Sequence, residues 1–253
     1  MKRRKFNPAA KLAGKATFGP DGQPKPHVVK AIERAVEVQR PLVLANIRRM
    51  QRKHPKASAA ELIAILDRHY LNAVMGGGAA VGATAVVPAV GTVAALGLSA
   101  AATVGFLEAT ALYAQSVAEL HGVRLADPEK SRTMVMAIML GEEGTSMMQS
   151  LAGRGSAQSW GSTIGAMPSG LMGSVGSSIR KQFLKRVMAR QGTAMLGRAL
   201  PLGVGAVVGG FGNRAMGKGV IKATRAAFGE PPATIPGELA GELERLENQP
   251  KTA

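Results

Sequence analysis

Residues Leu71–Leu107 run for 37 positions without one charged side chain, and Pro88 divides them into stretches of 17 and 19 residues. No other feature restricts the fold so strongly. A helix that crosses a bilayer needs about 20 apolar residues, so each stretch is just long enough if its flanks contribute. Small residues recur at four-residue spacing, first Gly78 and Gly82, then Gly97, Ala101 and Gly105. Positions four apart share one helix face, and tiny side chains there let two backbones approach closely. The pattern predicts a helical hairpin bent at Pro88–Gly91, because proline interrupts a helix and glycine suits a turn.

Leu, Val, Phe and Ile together number five in the first stretch and seven in the second. At roughly 0.3–0.6 kcal/mol each they supply about 1.5–3 and 2–4 kcal/mol, a small drive for insertion. The hairpin is therefore expected either to enter a membrane or to be buried in a helical bundle. The chain has 253 residues, 46% of them hydrophobic, which is enough for a core. Alanine is prominent in that fraction and glycine adds 32 residues outside it, so close backbone approach replaces bulk. The absence of cysteine excludes disulfides, thiolate metal sites and cysteine nucleophiles.

The net charge of +16 is divided by position. Residues 1–70 carry 16 Lys/Arg against 5 acids, and residues 121–230 carry 14 against 5. Residues 71–120 carry only Glu108 and Glu119. An apolar middle between basic flanks matches the way cytoplasmic basic residues border membrane segments. The clusters Arg48, Arg49, Arg52, Lys53 and Arg180, Lys181, Lys185, Arg186 are the expected contacts for anionic lipid. If both halves of the hairpin cross, both basic flanks fall on the cytoplasmic side. The rival reading is a soluble basic helical protein that grips nucleic-acid phosphates non-specifically. Aromatics are only 4% of the chain and no zinc-finger or RNA-recognition signature occurs, which disfavours it.

Residues 1–26 read as a disordered basic tail without hydrophobic periodicity. Residues 27–229 read as one all-α helical bundle around the hairpin, since no period-two alternation is sustained. Val28, Val29, Ile32, Val36 and Val38 give helical spacing from His27, and Pro41 either kinks that helix or starts another. Ser58 and Glu61 form an S-x-x-E capping box ahead of Leu62, Ile65, Leu66 and Tyr70. A helix continuing from Glu108 stops at His121–Gly122, and Asp127–Pro128–Glu129 opens the next, with Met134, Ile138 and Met139 inward. Residues 150–178, rich in Gly, Ser and Met, are expected to be flexible, or a second pair of small-residue helices. Helicity returns at Ile179–Arg190. Ala199–Asn213 is another apolar segment, with Gly205 and Gly209, leading into a helix from Gly217. Residues 230–253 form a Pro-rich acidic tail, expected to be disordered apart from a short amphipathic helix (Leu239, Leu243, Leu246) suited to a basic surface.

Reaction chemistry is not readable. Gly212, Gly217, Lys218 and Gly219 nearly spell a P-loop, but Gly219 replaces the Mg²⁺-binding hydroxyl and no strand precedes it. Gly203, Gly205 and Gly209 echo a dinucleotide loop equally weakly. Both are better explained by helix packing. His27, His54, His69 and His121 are scattered without carboxylates at ligand spacing, so no metal site is expected. Glu142–Glu143 fits an exposed helix end, and Glu108 a membrane–water boundary or an arginine partner, with an ion or proton site as the functional alternative. No catalytic residue, cofactor or small-molecule substrate is expected.

The segments GGGAAVGATAVVPAVGTVAAL (76–96), LHGVRLADPE (120–129) and LPLGVGAVVGGFGNRAMGKGVIKATRAAFG (200–229) resemble the EcsC family of bacterial proteins over roughly residues 28–230. Where members carry an aromatic–Gly pair, this chain has His121–Gly122. The resemblance implies a helical, membrane-associated bacterial protein. It implies little more, since the family has no established activity; the expectation drawn from the hairpin itself is an accessory of a membrane transport or envelope system, with a helical membrane-protein partner or self-association. The resemblance carries over no catalytic residue.

Overall fold

A computed structural model describes residues 25–84, 92–152, 159–196 and 204–248; side chains at 78–84, 92–100, 151–152, 169, 190–196, 204–211 and 247–248 lie outside that description. Among the described residues every regular element is helical and none is a strand, so the protein is an all-α bundle. Two prolines open the first helices, α1 (Pro26–Ala35) and α2 (Arg40–Lys53). Pro41 thus starts a new helix, where its missing N–H costs nothing, instead of kinking an old one.

The long helix α3 (Ala59–Thr84) begins at the predicted capping box. The Glu61 carboxylate accepts from the Ser58 N–H (2.8 Å) and hydroxyl (3.0 Å), while the Glu61 N–H donates to Ser58 Oγ (3.2 Å). Helix α4 (Thr92–Leu120) packs against α3. It stops where predicted: Gly122 takes φ 75°, and the Val123 N–H donates to the Ala118 carbonyl at 2.9 Å. The bonded pairs Asp67–Tyr113 and Tyr70–Thr110 are both centred on position 90, which makes α3 and α4 antiparallel. The centre falls within the expected Pro88–Gly91 bend, although that bend itself lies outside the described residues.

Asp127 caps α5 (Pro128–Leu140), accepting from the Glu129 N–H at 2.8 Å. Then follow α6 (Glu142–Ala152), α7 (Trp160–Ile164) and α8 (Ser169–Leu196). Of the two readings of 150–178, a loop or small-residue helices, the described part of that range is mostly helical. Trp160 and Ile164 anchor α7 in the core, and a Cβ at Gly161 would come within 2.6 Å of the Phe228 ring. Met172, Val175, Ile179 and Phe183 then bury one face of α8 at helical spacing. The signal begins earlier than the basic residues suggested.

Val204–Phe228 is one continuous helix, α9, in which the apolar segment runs into the helix from Gly217 without a break. Within the acidic tail the amphipathic helix forms as α10 (Gly237–Asn248) and is docked, with Leu239 and Leu243 buried and Leu246 packed against the core. Glu242 meets Arg40 at 2.7 Å and Arg124 at 3.2 Å, the basic surface the helix was expected to seek.

The largest fully buried side chains include Ile47, Met50, Leu62, Leu107, Leu120, Met134, Ile138, Trp160 and Phe183. Each such burial is worth roughly 1.5–3 kcal/mol. The most extensive helix pair is α9 on α3, followed by α3 on α4. Helix α9 runs antiparallel to α3, with Arg225 on Asp67 (2.6 Å) and Asn213 Nδ2 donating to the Val74 carbonyl (3.0 Å). Val74 on α3 and Leu107 on α4 mark the limit of the buried residues in the described parts of the uncharged stretch.

Candidate functional site

Ala64, Asp67, Arg68 and Leu71 recur at three-to-four spacing on α3, as do Lys218, Ile221 and Arg225 on α9. They line one cleft of about 420 Å³ between the two helices. Asp67 sits at its floor, 7% exposed. Its two oxygens are both engaged: Tyr113 donates to Oδ1 at 2.7 Å, and Arg225 Nη2 donates to Oδ2 at 2.6 Å. Tyr113 stacks on Tyr70, with ring centroids 4.6 Å apart and planes 17° apart. The Tyr70 and Thr110 hydroxyls lie 2.8 Å apart, and Thr110 Oγ1 donates to the Phe106 carbonyl at 2.7 Å. One buried polar network therefore ties α3, α4 and α9 together.

Burial pushes both phenols up, and the Asp67 carboxylate adds to the effect on Tyr113. Their protons stay on, so they orient and do not titrate. Asp67, with both oxygens engaged, is a fixed anchor for Arg225. This geometry binds and positions.

The two basic clusters separate in role. In the first, Arg49 donates to its neighbour Asn46 at 2.9 Å, Arg52 and Lys53 are exposed, and Arg48 is half-buried. None of the four has an ion pair among the described residues. The second cluster is partly consumed by folding. Arg180 pairs with Glu33, and Arg186 donates to the Leu140 carbonyl at 2.8 Å and reaches Glu143 at 3.4 Å. Lys181 and Lys185 remain exposed and without an ion pair among the described residues. Arg180 and Arg186 thus also tie helices together, with 53% and 43% of their side chains exposed.

The small-residue positions divide as well. Ala101 and Gly105 are exposed, and a Cβ on Gly105 would meet nothing within 4 Å among the described residues. Gly78, Gly82, Pro88, Gly97, Gly205 and Gly209 fall outside the described side chains. Gly217, read first as part of a P-loop echo, carries the close approach of α9 to α3. A Cβ there would lie 3.0 Å from Leu71 Cδ2 and 3.1 Å from Val74 Cγ2. The whole echo, Gly212 to Gly219, is internal to α9 and forms no loop.

Glu142 and Glu143 open α6, where carboxylates favour the helix N-terminus, and meet Lys222 (3.2 Å) and Arg186 (3.4 Å) respectively. Glu108 is exposed and has no ion pair among the described residues. Those residues hold no group of three or more His, Asp or Glu placed to bind a metal. They include no helix long and apolar enough to cross a membrane; side chains 78–100 lie outside them. Compared with protein-family models, curated proteins and solved structures, the chain matches none.

Sequence reasoning missed the Asp67–Tyr113 network. A signal existed: a hairpin turning near position 90 sets 67 against 113 and 70 against 110, and these positions hold the chain's only two tyrosines.

Proposed function

We propose that this chain is a non-enzymatic, membrane-associated helical protein, accessory to a larger bacterial membrane system. The uncharged arms of α3 and α4 enter the bilayer or pack on a helical partner or a second copy. The unpaired cations hold the adjoining surface against anionic lipid on the cytoplasmic face. One observation carries the reading. In the described parts of the uncharged stretch only Val74 and Leu107 are buried, while Ala73, Gly76, Gly77, Ala101 and Gly105 stand exposed. Apolar surface left open in this way is characteristic of a contact with lipid or another helix. The unpaired Arg48–Lys53 cluster and the resemblance to the EcsC family point the same way.

Near an anionic surface each basic residue contributes about 1 kcal/mol. The quadruple variant R48A/R49A/R52A/K53A is therefore expected to weaken binding to anionic vesicles by up to about a thousandfold. Vesicle flotation with phosphatidylglycerol against pure phosphatidylcholine measures it. A protein that floats with neither at low salt ends this reading.

A further inference from the structure

We propose that the α3–α9 cleft is a binding site for the phosphate monoester headgroup of an anionic lipid. Three cations face it, Arg68, Lys218 and Arg225, against the single carboxylate of Asp67, leaving a net charge of +2. Arg68 and Lys218 are exposed and have no ion pair among the described residues. Arg225 is held in place by Asp67 at 2.6 Å, yet 63% of its side chain is exposed. A guanidinium has five donors, so those not spent on Asp67 remain for a ligand. Asp67 is in turn fixed by Tyr113 from behind, at 2.7 Å. One arginine is thus pre-oriented at the cleft before any ligand arrives, which lowers the cost of binding.

The charge selects the ligand class. A phosphate monoester carries about −1.5 to −2 at neutral pH and presents three acceptor oxygens, which suits two guanidinium forks and an ammonium. A carboxylate would leave one of those cations unused. The lining also selects for an apolar tail: Ala64, Leu71 and Ile221 share the cleft with the cations. Leu71 is the first residue of the uncharged stretch. A headgroup at Arg68 and Arg225 places its acyl chain along the arm of α3 beyond Leu71.

Only the origin of the ligand in a bilayer rests on the membrane reading, so the site is tested without one. Calorimetric titration of the full chain would use three soluble probes: dihexanoyl phosphatidate, inorganic phosphate and dihexanoyl phosphatidylcholine. The expected result is saturable one-to-one binding of phosphatidate, weaker binding of inorganic phosphate, and none of phosphatidylcholine. R68A/K218A, two surface changes, is expected to weaken phosphatidate at least about tenfold. K30A/R34A, which removes the same charge from two exposed positions on α1, is expected to leave it unchanged. Phosphatidate binding no tighter than inorganic phosphate overturns the lipid assignment. Absence of saturable binding, or equal losses in the two double variants, overturns the site. Phosphatidate binding in a chain that never floats with vesicles sinks the membrane reading alone, and the converse sinks the cleft alone.

Discussion

Tyr113→Phe removes one hydroxyl from the point where α3, α4 and α9 meet. The ring stays, so the stack on Tyr70 at 4.6 Å is kept. What is lost is the donor to Asp67 Oδ1, at 2.7 Å, on a residue 7% exposed. Hydrogen bonds to charged groups are worth about 1.5–3 kcal/mol, and a buried acceptor left bare costs as much. Tyr70→Phe is the matched control. There the Thr110 hydroxyl still donates to the Phe106 carbonyl at 2.7 Å, and one neutral bond is lost, about 0.5–1.5 kcal/mol. Urea unfolding of the two variants, read as a midpoint change at constant slope, separates them. Tyr113→Phe is expected to cost clearly more. If it costs no more than Tyr70→Phe, the Asp67 network does not hold the three helices together.

Gly219→Ala meets nothing within 4 Å and is expected to stabilise α9 by about 0.8–1 kcal/mol, whereas Gly217→Val drives into Leu71 and Val74 and is expected to cost about 1–3 kcal/mol. Thermal unfolding checks the order, and a reversal would place α9 wrongly on α3. Burial holds His121 below the ordinary histidine range, so the unfolded chain binds the extra proton and stability falls as pH drops below about 6.5. His121→Phe keeps the 5.3 Å stack on Phe228 and is expected to flatten that part of the profile, measured by unfolding midpoints between pH 5 and 8. The Arg40 guanidinium beside Glu242 holds its carboxyl below the usual range, so this pair stabilises above about pH 4.3 and is lost as pH falls through the lowered value. Glu242→Gln is expected to raise hydrogen exchange in 237–248 while leaving α3 and α4 protected; unchanged exchange would show that Leu239 and Leu243 suffice.

Local chemistry was the legible part. The Ser58–Glu61 box, the Asp127 cap, the Pro41 start and the Gly122 stop each depend on residues within a few positions. The amphipathic face of α10 was visible for the same reason, but its docking was not. That required Arg40, itself paired with Glu119, and Arg124 to meet Glu242 from distant positions. Arg180 and Arg186 looked free because their partners, Glu33 and Glu143, lie far away in sequence. Position alone does not distinguish a solvated cation from one that ties two helices. Met172 and Val175 were hidden among glycines and serines, which dilute a hydrophobic period without abolishing the helix. The cleft was invisible for a simpler reason: Arg68 and Lys218 meet only because α9 returns along α3.

Cell fractionation asks most directly whether this chain resides at a membrane. The protein is expected in the membrane pellet at low salt, partly released by high salt as the Arg48–Lys53 contacts are screened, and more fully released only by carbonate. Quantitative recovery in the supernatant at low salt would contradict that residence.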